Sequence, residues 1–222
     1  MMKTYDAIAL DPTRSLPANT FNIFEGFKSE FLQPVPEDHV SGPIEPIIHH
    51  LSNVITGEEH VCWLLDWMAN MIQSTNKPTT VAVFIQGSQG DGKDIIFDFF
   101  RNYVIGTKYS FQTESSESLF GRFSSGRVHK VFVCFDEVDG ADLIGNHRQS
   151  PLKNAITGDK VEYEVKGVMR TDVPNMCNFL FTSNNPNPIP IPADVFCSIQ
   201  LKKHLQRQQG ILYWSSSALG EK

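Results

Sequence analysis

No apolar run in this chain of 222 residues approaches the roughly 20 residues that a bilayer-spanning helix requires, and the opening MMKTYDAIALD has no apolar signal core. The sequence therefore reads as a soluble cytoplasmic protein. An excess of positive charge is missing too: 19 Lys and Arg stand against 25 Asp and Glu, a net charge of -6, so a polyanion has to be met by a local basic element. Cysteine is scarce. The four present, Cys62, Cys134, Cys177 and Cys197, lie far apart among apolar neighbours without a CxxC pair, which reads as small buried thiols and argues against zinc. His39, His49, His50 and His60 have no metal-ligand spacing and read as helix-surface residues. No internal repeat and no low-complexity tract is visible. What is present, 41% hydrophobic against 20% charged residues, suffices for one globular domain with an appendage and a sizeable core.

The first part of the chain carries scattered turn formers (Asp11-Pro12, Leu16-Pro17, Gln33-Pro34, Val35-Pro36) and no sustained period, so 1–43 is expected to be an irregular arm. Over 44–76 apolar residues recur at helical spacing on either side of Gly57, from Ile47, Ile48, Leu51 and Val54 to Val61, Leu64, Leu65 and Met68, which predicts two amphipathic helices. Trp63 and Trp67 on the second read as packing residues. The run VAVFI (Val81–Ile85), then VFVCF (Val131–Phe135) and NFLF (Asn178–Phe181), are short, apolar on both faces and separated by helical stretches. Such strands imply an α/β fold with a parallel central sheet whose polar strand ends gather along one edge. Between the first strand and a helix marked by Ile95, Ile96, Phe99 and Phe100 lies a glycine-rich loop.

That loop, Gly87-Ser88-Gln89-Gly90-Asp91-Gly92-Lys93, matches G-x-x-x-x-G-K. Glycines permit torsions that turn successive N–H groups toward phosphate oxygens, the following helix adds its positive end, and the lysine reaches the β- and γ-phosphates of a nucleotide. The second strand delivers Asp136-Glu137 to the same edge, where Asp136 suits a Mg2+ ion and Glu137 suits the general base for an attacking water. Asn184 closes the third strand and fits a residue that senses the γ-phosphate or orients the water; a turn cap is the alternative. In KVEYEVKGVMR, Val161, Tyr163 and Val165 alternate with Glu162, Glu164 and Lys166, a period of 2 that predicts a hairpin strand. Lys153, Lys160, Lys166 and Arg170 cluster around it, either as a solvated face partnered by the glutamates or as a grip on a nucleic-acid backbone. Arg122, Arg127, His129 and Lys130 precede the second strand, as ordinary surface charge or facing a neighbouring subunit.

Taken together, GSQGDGKD, VFVCFDE, LKNAITGDKVEYEVKG and NFLFTSN, with FNIFEGF upstream, resemble the superfamily 3 helicases of viruses, phages and plasmids, in particular the poxvirus-type primase-helicases and their phage relatives. The most specific piece is Lys153, Thr157-Gly158-Asp159 and Lys166-Gly167. The resemblance implies a P-loop NTPase of AAA+-like type over 77–205, followed by a tail at 206–222. It further implies ATP and Mg2+ as cofactors, Lys93, Glu137 and Asn184 as catalytic groups, and Asp136 as metal ligand with Asp94 as a second. Lys153, Lys160, Lys166 and Arg170 would contact single-stranded DNA. The implied partners are further copies in a hexameric ring and a primase or other replication proteins, in a virus- or phage-infected cell.

Two positions depart from that pattern. Asp94 stands where relatives have a Mg2+-ligating serine or threonine, and Ala193-Asp194-Val195-Phe196-Cys197-Ser198 lacks the arginines that reach a neighbour's γ-phosphate. Three readings follow: a helicase motor, a nucleotide-binding structural module that hydrolyses weakly, and, disfavoured by the hairpin, a switch ATPase outside replication.

Overall fold

In the computed structural model, residues 4–33, 41–88, 90–120, 126–138, 149–163, 171–185 and 195–202 are described. Two short strands, β1 (Ala7–Ala9) and β2 (Thr20–Asn22), pair in parallel at the start of the chain. Helices α1 (Ser41–Val54) and α2 (Glu58–Gln73) follow. Gly57 joins them at a φ of 87°, a torsion that favours glycine because it carries no Cβ. None of the described helices is long and apolar enough to cross a membrane.

Five strands form the central sheet: β3 (Ala82–Gln86), β4 (Ser110–Thr113), β5 (Phe132–Phe135), β8 (Asn178–Ser183) and β9 (Phe196–Gln200). Their spatial order is β4-β5-β8-β3-β9 and every neighbouring pair is parallel. A short helix, α4 (Ser116–Phe120), follows β4; between β5 and β8 the chain makes helix α5 (Gln149–Thr157) and an antiparallel pair, β6 (Lys160–Tyr163) with β7 (Thr171–Pro174), in the register Val161 opposite Val173. The expected hairpin strand is present, while its tip at 164–170, with Lys166, Gly167 and Arg170, lies outside the described residues.

Alternate residues of each strand feed two cores. Val83, Ile85, Phe132, Cys134, Leu180 and Ile199 pack against α1 and α2, with Leu51, Val54, Leu64, Trp67 and Met71 buried beside them. Ala82, Phe84, Val133, Phe135, Phe179 and Phe181 face the other way, onto Leu152, Ala155 and Ile156 of α5. Helices cover both faces, so the three inner strands β3, β5 and β8 are buried on both faces along nearly their whole length instead of alternating. Trp67 is 4% exposed and its indole N–H donates to Thr79 Oγ1 at 2.9 Å and to the Val81 carbonyl at 3.0 Å, which makes it a packing residue.

Three details differ from the sequence-based expectation. The arm does more than trail: Leu10, Phe24 and Phe27 enter the first core, and Tyr109 Oη accepts the Glu25 N–H at 2.7 Å and donates to the Ile23 carbonyl at 3.2 Å. The helix after the glycine loop, α3 (Lys93–Phe99), passes into a π-helical turn over Phe100–Ile105. Its buried face is Phe97 and Phe100, while Ile95 is 59% exposed, because residues two apart on a helix point apart and only the three- and four-residue spacings share a face. Cys134 and Cys177 are buried, but Cys62 is exposed on α2 between the inward positions Val61 and Leu64. Burial pushes the Cys177 thiol up to about 12, and its S–H bonds to the Arg127 and Lys130 carbonyls mark it as structural.

Candidate functional site

Because β3, β8 and β5 are parallel neighbours, their carboxyl ends lie side by side and present their last residues to one edge. From β3 the chain enters the glycine loop, held at its start by the Gly87 N–H donating to the Ser183 carbonyl at 3.2 Å and by Gln86 Nε2 donating to the Asn185 carbonyl at 2.7 Å. Gly90 and Gly92 have φ values of 84° and 80°, where a side chain is strained. Gly87 is required for another reason: a Cβ there would come within 2.4 Å of Leu201 Cδ1. The Ser88 N–H donates to Asp91 Oδ2 at 2.6 Å. Gln89 lies outside the described residues.

Lys93 is only 6% exposed. Its ammonium donates to Asn184 Oδ1 at 2.7 Å, and Asn184 Nδ2 donates to Glu137 Oε1 at 3.3 Å. One hydrogen-bonded line thus joins the loop, the end of β8 and the end of β5. Asp136 is fixed by three donors: the Thr182 hydroxyl and the Glu137 N–H on Oδ1, and Gln112 Nε2 on Oδ2 at 3.4 Å. Glu137 has a φ of 51°, an uncommon torsion for a side-chain-bearing residue. Bonds from the Val138 N–H to the Thr182 carbonyl and from Ser183 Oγ to the Val138 carbonyl anchor the turn around it.

Asp94 and Asp136 line one cleft with Asp98, Arg101, Gln112 and Thr182. Arg101 pairs with Asp98 at 3.0 Å. Burial is the largest influence on Asp94 and raises its carboxyl above the ordinary range; Lys93 opposes the rise, while Asp136, Asp98 and Glu137 add to it. Chemically, the edge offers a cation for anionic oxygen at Lys93, carboxylate oxygens for a hard cation at Asp136 and Asp94, and a carboxylate held by an amide at Glu137. Among the described residues no three His, Cys, Asp or Glu side chains converge as a complete metal shell.

The remaining candidates lie elsewhere. Lys153 sits exposed on α5 and Lys160 opens β6, whereas Lys166 and Arg170 fall outside the described residues. Arg127 and Lys130 are tied to the protein: Arg127 Nε donates to the Leu119 carbonyl at 3.1 Å and Lys130 Nζ to the Lys108 carbonyl at 2.7 Å, and burial lowers both pKa values. Sequence patterns missed three contributors. Thr182 carried a signal, two residues before Asn184 at a strand end; Gln112, on the edge strand, carried none. His50, read as a surface histidine, is half-buried and donates from Nε2 to the Gly92 carbonyl at 3.0 Å.

The chain belongs to DUF5906, a family of unknown function, which matches it over residues 85–195. It is similar to the DNA primase-polymerase of Nitratiruptor phage NrS-1, with 26% identity over 164 residues covering 71% of this chain and 21% of that protein. Among solved structures it matches the A form apo structure of the NrS-1 C-terminal region, with a TM-score of 0.73 and 22% identity over 97% of this chain and 51% of that one. Another apo structure of the same region gives a TM-score of 0.73 at 21% identity, again over 97% and 51%. The likeness establishes a shared fold. The chain spans about a fifth of the curated relative and about half of the solved region.

Proposed function

We propose that this chain is the ATP-binding motor domain of a phage DNA-replication protein, a P-loop ATPase of superfamily 3 type that couples hydrolysis to movement along single-stranded DNA. The observation that carries this reading is the line Lys93–Asn184–Glu137 across the carboxyl ends of three parallel strands, the position where open α/β sheets bind ligands. Strand, glycine loop and lysine come first; the acidic pair and the asparagine arrive from the neighbouring strands. The similarity to a phage primase-polymerase supports a place in replication, in the cytoplasm of an infected cell and beside a primase or other replication proteins.

In this reading the Gly87–Gly92 amides and Lys93 bind the β- and γ-phosphates. Glu137 accepts a proton from the attacking water, and Asn184 holds both that carboxylate and the phosphate-facing lysine in place. Asp136, oriented by Thr182, Gln112 and the Glu137 N–H, and Asp94 would hold Mg2+. The ion usually takes one or two carboxylates, with water and substrate phosphate completing its shell, and when bound it neutralises charge on the transferred phosphoryl group. Lys153, Lys160, Lys166 and Arg170 are the proposed DNA contacts, and the ATPase unit is placed at 77–205 within a hexameric ring.

Titration calorimetry with Mg-ATP tests the central claim: Lys93→Ala is expected to abolish binding, and unchanged affinity in that variant would overturn it. A second reading, a nucleotide-binding structural module with little turnover, is favoured by Asp94 in place of a hydroxyl and by the missing arginines after 193; a supplied arginine finger is worth about 10³–10⁵ in rate. Phosphate release stimulated by single-stranded DNA marks the motor, and binding without turnover marks the module.

A further inference from the structure

The glycine loop is braced from behind by residues that neither the loop motif nor the acidic strand end includes. Helix α1 and the end of β9 are joined: Ile55 bridges Leu201, the Thr56 N–H donates to the Gln200 carbonyl at 3.0 Å, and the Lys202 N–H to the Val54 carbonyl at 2.9 Å. Lys202 Nζ adds a bond to the Ser52 carbonyl at 2.6 Å. From this joined unit two side chains reach the two ends of the loop. Leu201 fills the space that a Cβ on Gly87 would need, and His50 fills the space at Gly92, where a Cβ would lie 3.0 Å from the imidazole Cε1.

His50 does more than fill space. Its Nε2–H donates to the Gly92 carbonyl at 3.0 Å, which fixes the plane of the Gly92–Lys93 peptide. In a trans peptide the carbonyl and the following N–H point in opposite directions. With the Gly92 carbonyl held toward α1, the Lys93 N–H is turned away from α1. Gly92 by itself has no such preference, because glycine populates both signs of φ.

We propose that His50 is a positioning residue of the glycine loop: its bond to the Gly92 carbonyl selects the loop conformation and ties α1 to the phosphate-binding position. The tie rests on the nucleotide reading given above only for its consequence, that a ligand drawn into the loop is felt by α1. The bond itself is a contact between two parts of this chain.

The test compares the full chain with His50→Leu, which loses the donor, and His50→Gln, which keeps one. The amide NMR signals of Gly92 and Lys93 are recorded without nucleotide, and then Mg-ATP is titrated. Leucine is expected to shift both amides and to weaken ATP binding by about tenfold, the effect of losing one hydrogen bond; glutamine is expected to restore both. Where the leucine variant fails to fold, His50→Asn, too short to reach the carbonyl, takes its place. Loop amides that stay unmoved without the donor, or that glutamine fails to restore, would overturn the proposal. A parent chain that binds no ATP would defeat the nucleotide reading alone, since the amide comparison still decides the tie.

Discussion

Asp94 is the residue at which the proposed site differs most from a serine-type loop, and its surroundings make it sensitive to protons. Burial raises its carboxyl, Lys93 counteracts, and Asp136, Asp98 and Glu137 reinforce the rise. The folded chain then holds this proton more tightly than the unfolded chain, whose carboxyl titrates near 3.8. Stability from this group is complete below that value and is lost as pH rises through the raised one. Asp94→Asn removes the loss. Its unfolding midpoint is therefore expected to exceed the parent's at pH 7, with the difference shrinking as pH falls toward 4. Thermal scans across that range check it, and a difference constant with pH would contradict the assignment.

At the scale of elements, the end of β3 and the end of β9 are fitted to each other through one missing Cβ. Leu201 is 8% exposed and occupies the volume in front of Gly87, so alanine at 87 forces it to move. Overpacking of this kind costs about 1–3 kcal/mol. Leu201→Ala alone leaves a cavity and costs about 2–5 kcal/mol. The double variant is expected to lose clearly less than the sum of the two, since the new methyl enters the space the leucine vacates. Urea unfolding of the four chains measures this coupling, and strict additivity would show that the contact plays no part. The π-helical turn at Phe100–Ile105 is a second element-scale feature: it brings Phe100 and Ile105 into the core while the preceding turn keeps Asp94 and Asp98 on the cleft.

At the scale of the molecule, the proposed motor is a ring of copies, and because each copy lacks the arginines after Asp194 that in relatives reach a neighbour's γ-phosphate, another group has to complete that contact. Light scattering coupled to size exclusion is expected to show the 25.0 kDa chain assembling into a hexamer when Mg-ATP is added. Persistence as a monomer with nucleotide bound would remove the ring and favour the structural module. The acidic net charge of -6 fits a ring whose DNA contacts are confined to one lining element.

Strand identity was legible in the sequence because β3, β5 and β8 are apolar on both faces, a pattern that few alternatives to a covered parallel sheet produce. The amphipathic pair α1 and α2 was legible for the same kind of reason, a sustained period around Gly57. So was the membership of the candidate edge, since Lys93, Asp136, Glu137 and Asn184 each follow a strand or the glycine loop directly in the chain. Other features were decided only by tertiary structure. The order β4-β5-β8-β3-β9 sets which strand ends are neighbours, and hence that Asn184 stands between Lys93 and Glu137; no local pattern encodes such an order. Gln112 meets Asp136 across 24 residues and His50 meets Gly92 across 42, contacts that exist only once separate elements have packed. The arm from Leu10 to Phe27 lacks any period, yet its isolated aromatics dock on Tyr109, because burial of a side chain depends on the cavity it meets and not on the regularity of its neighbours.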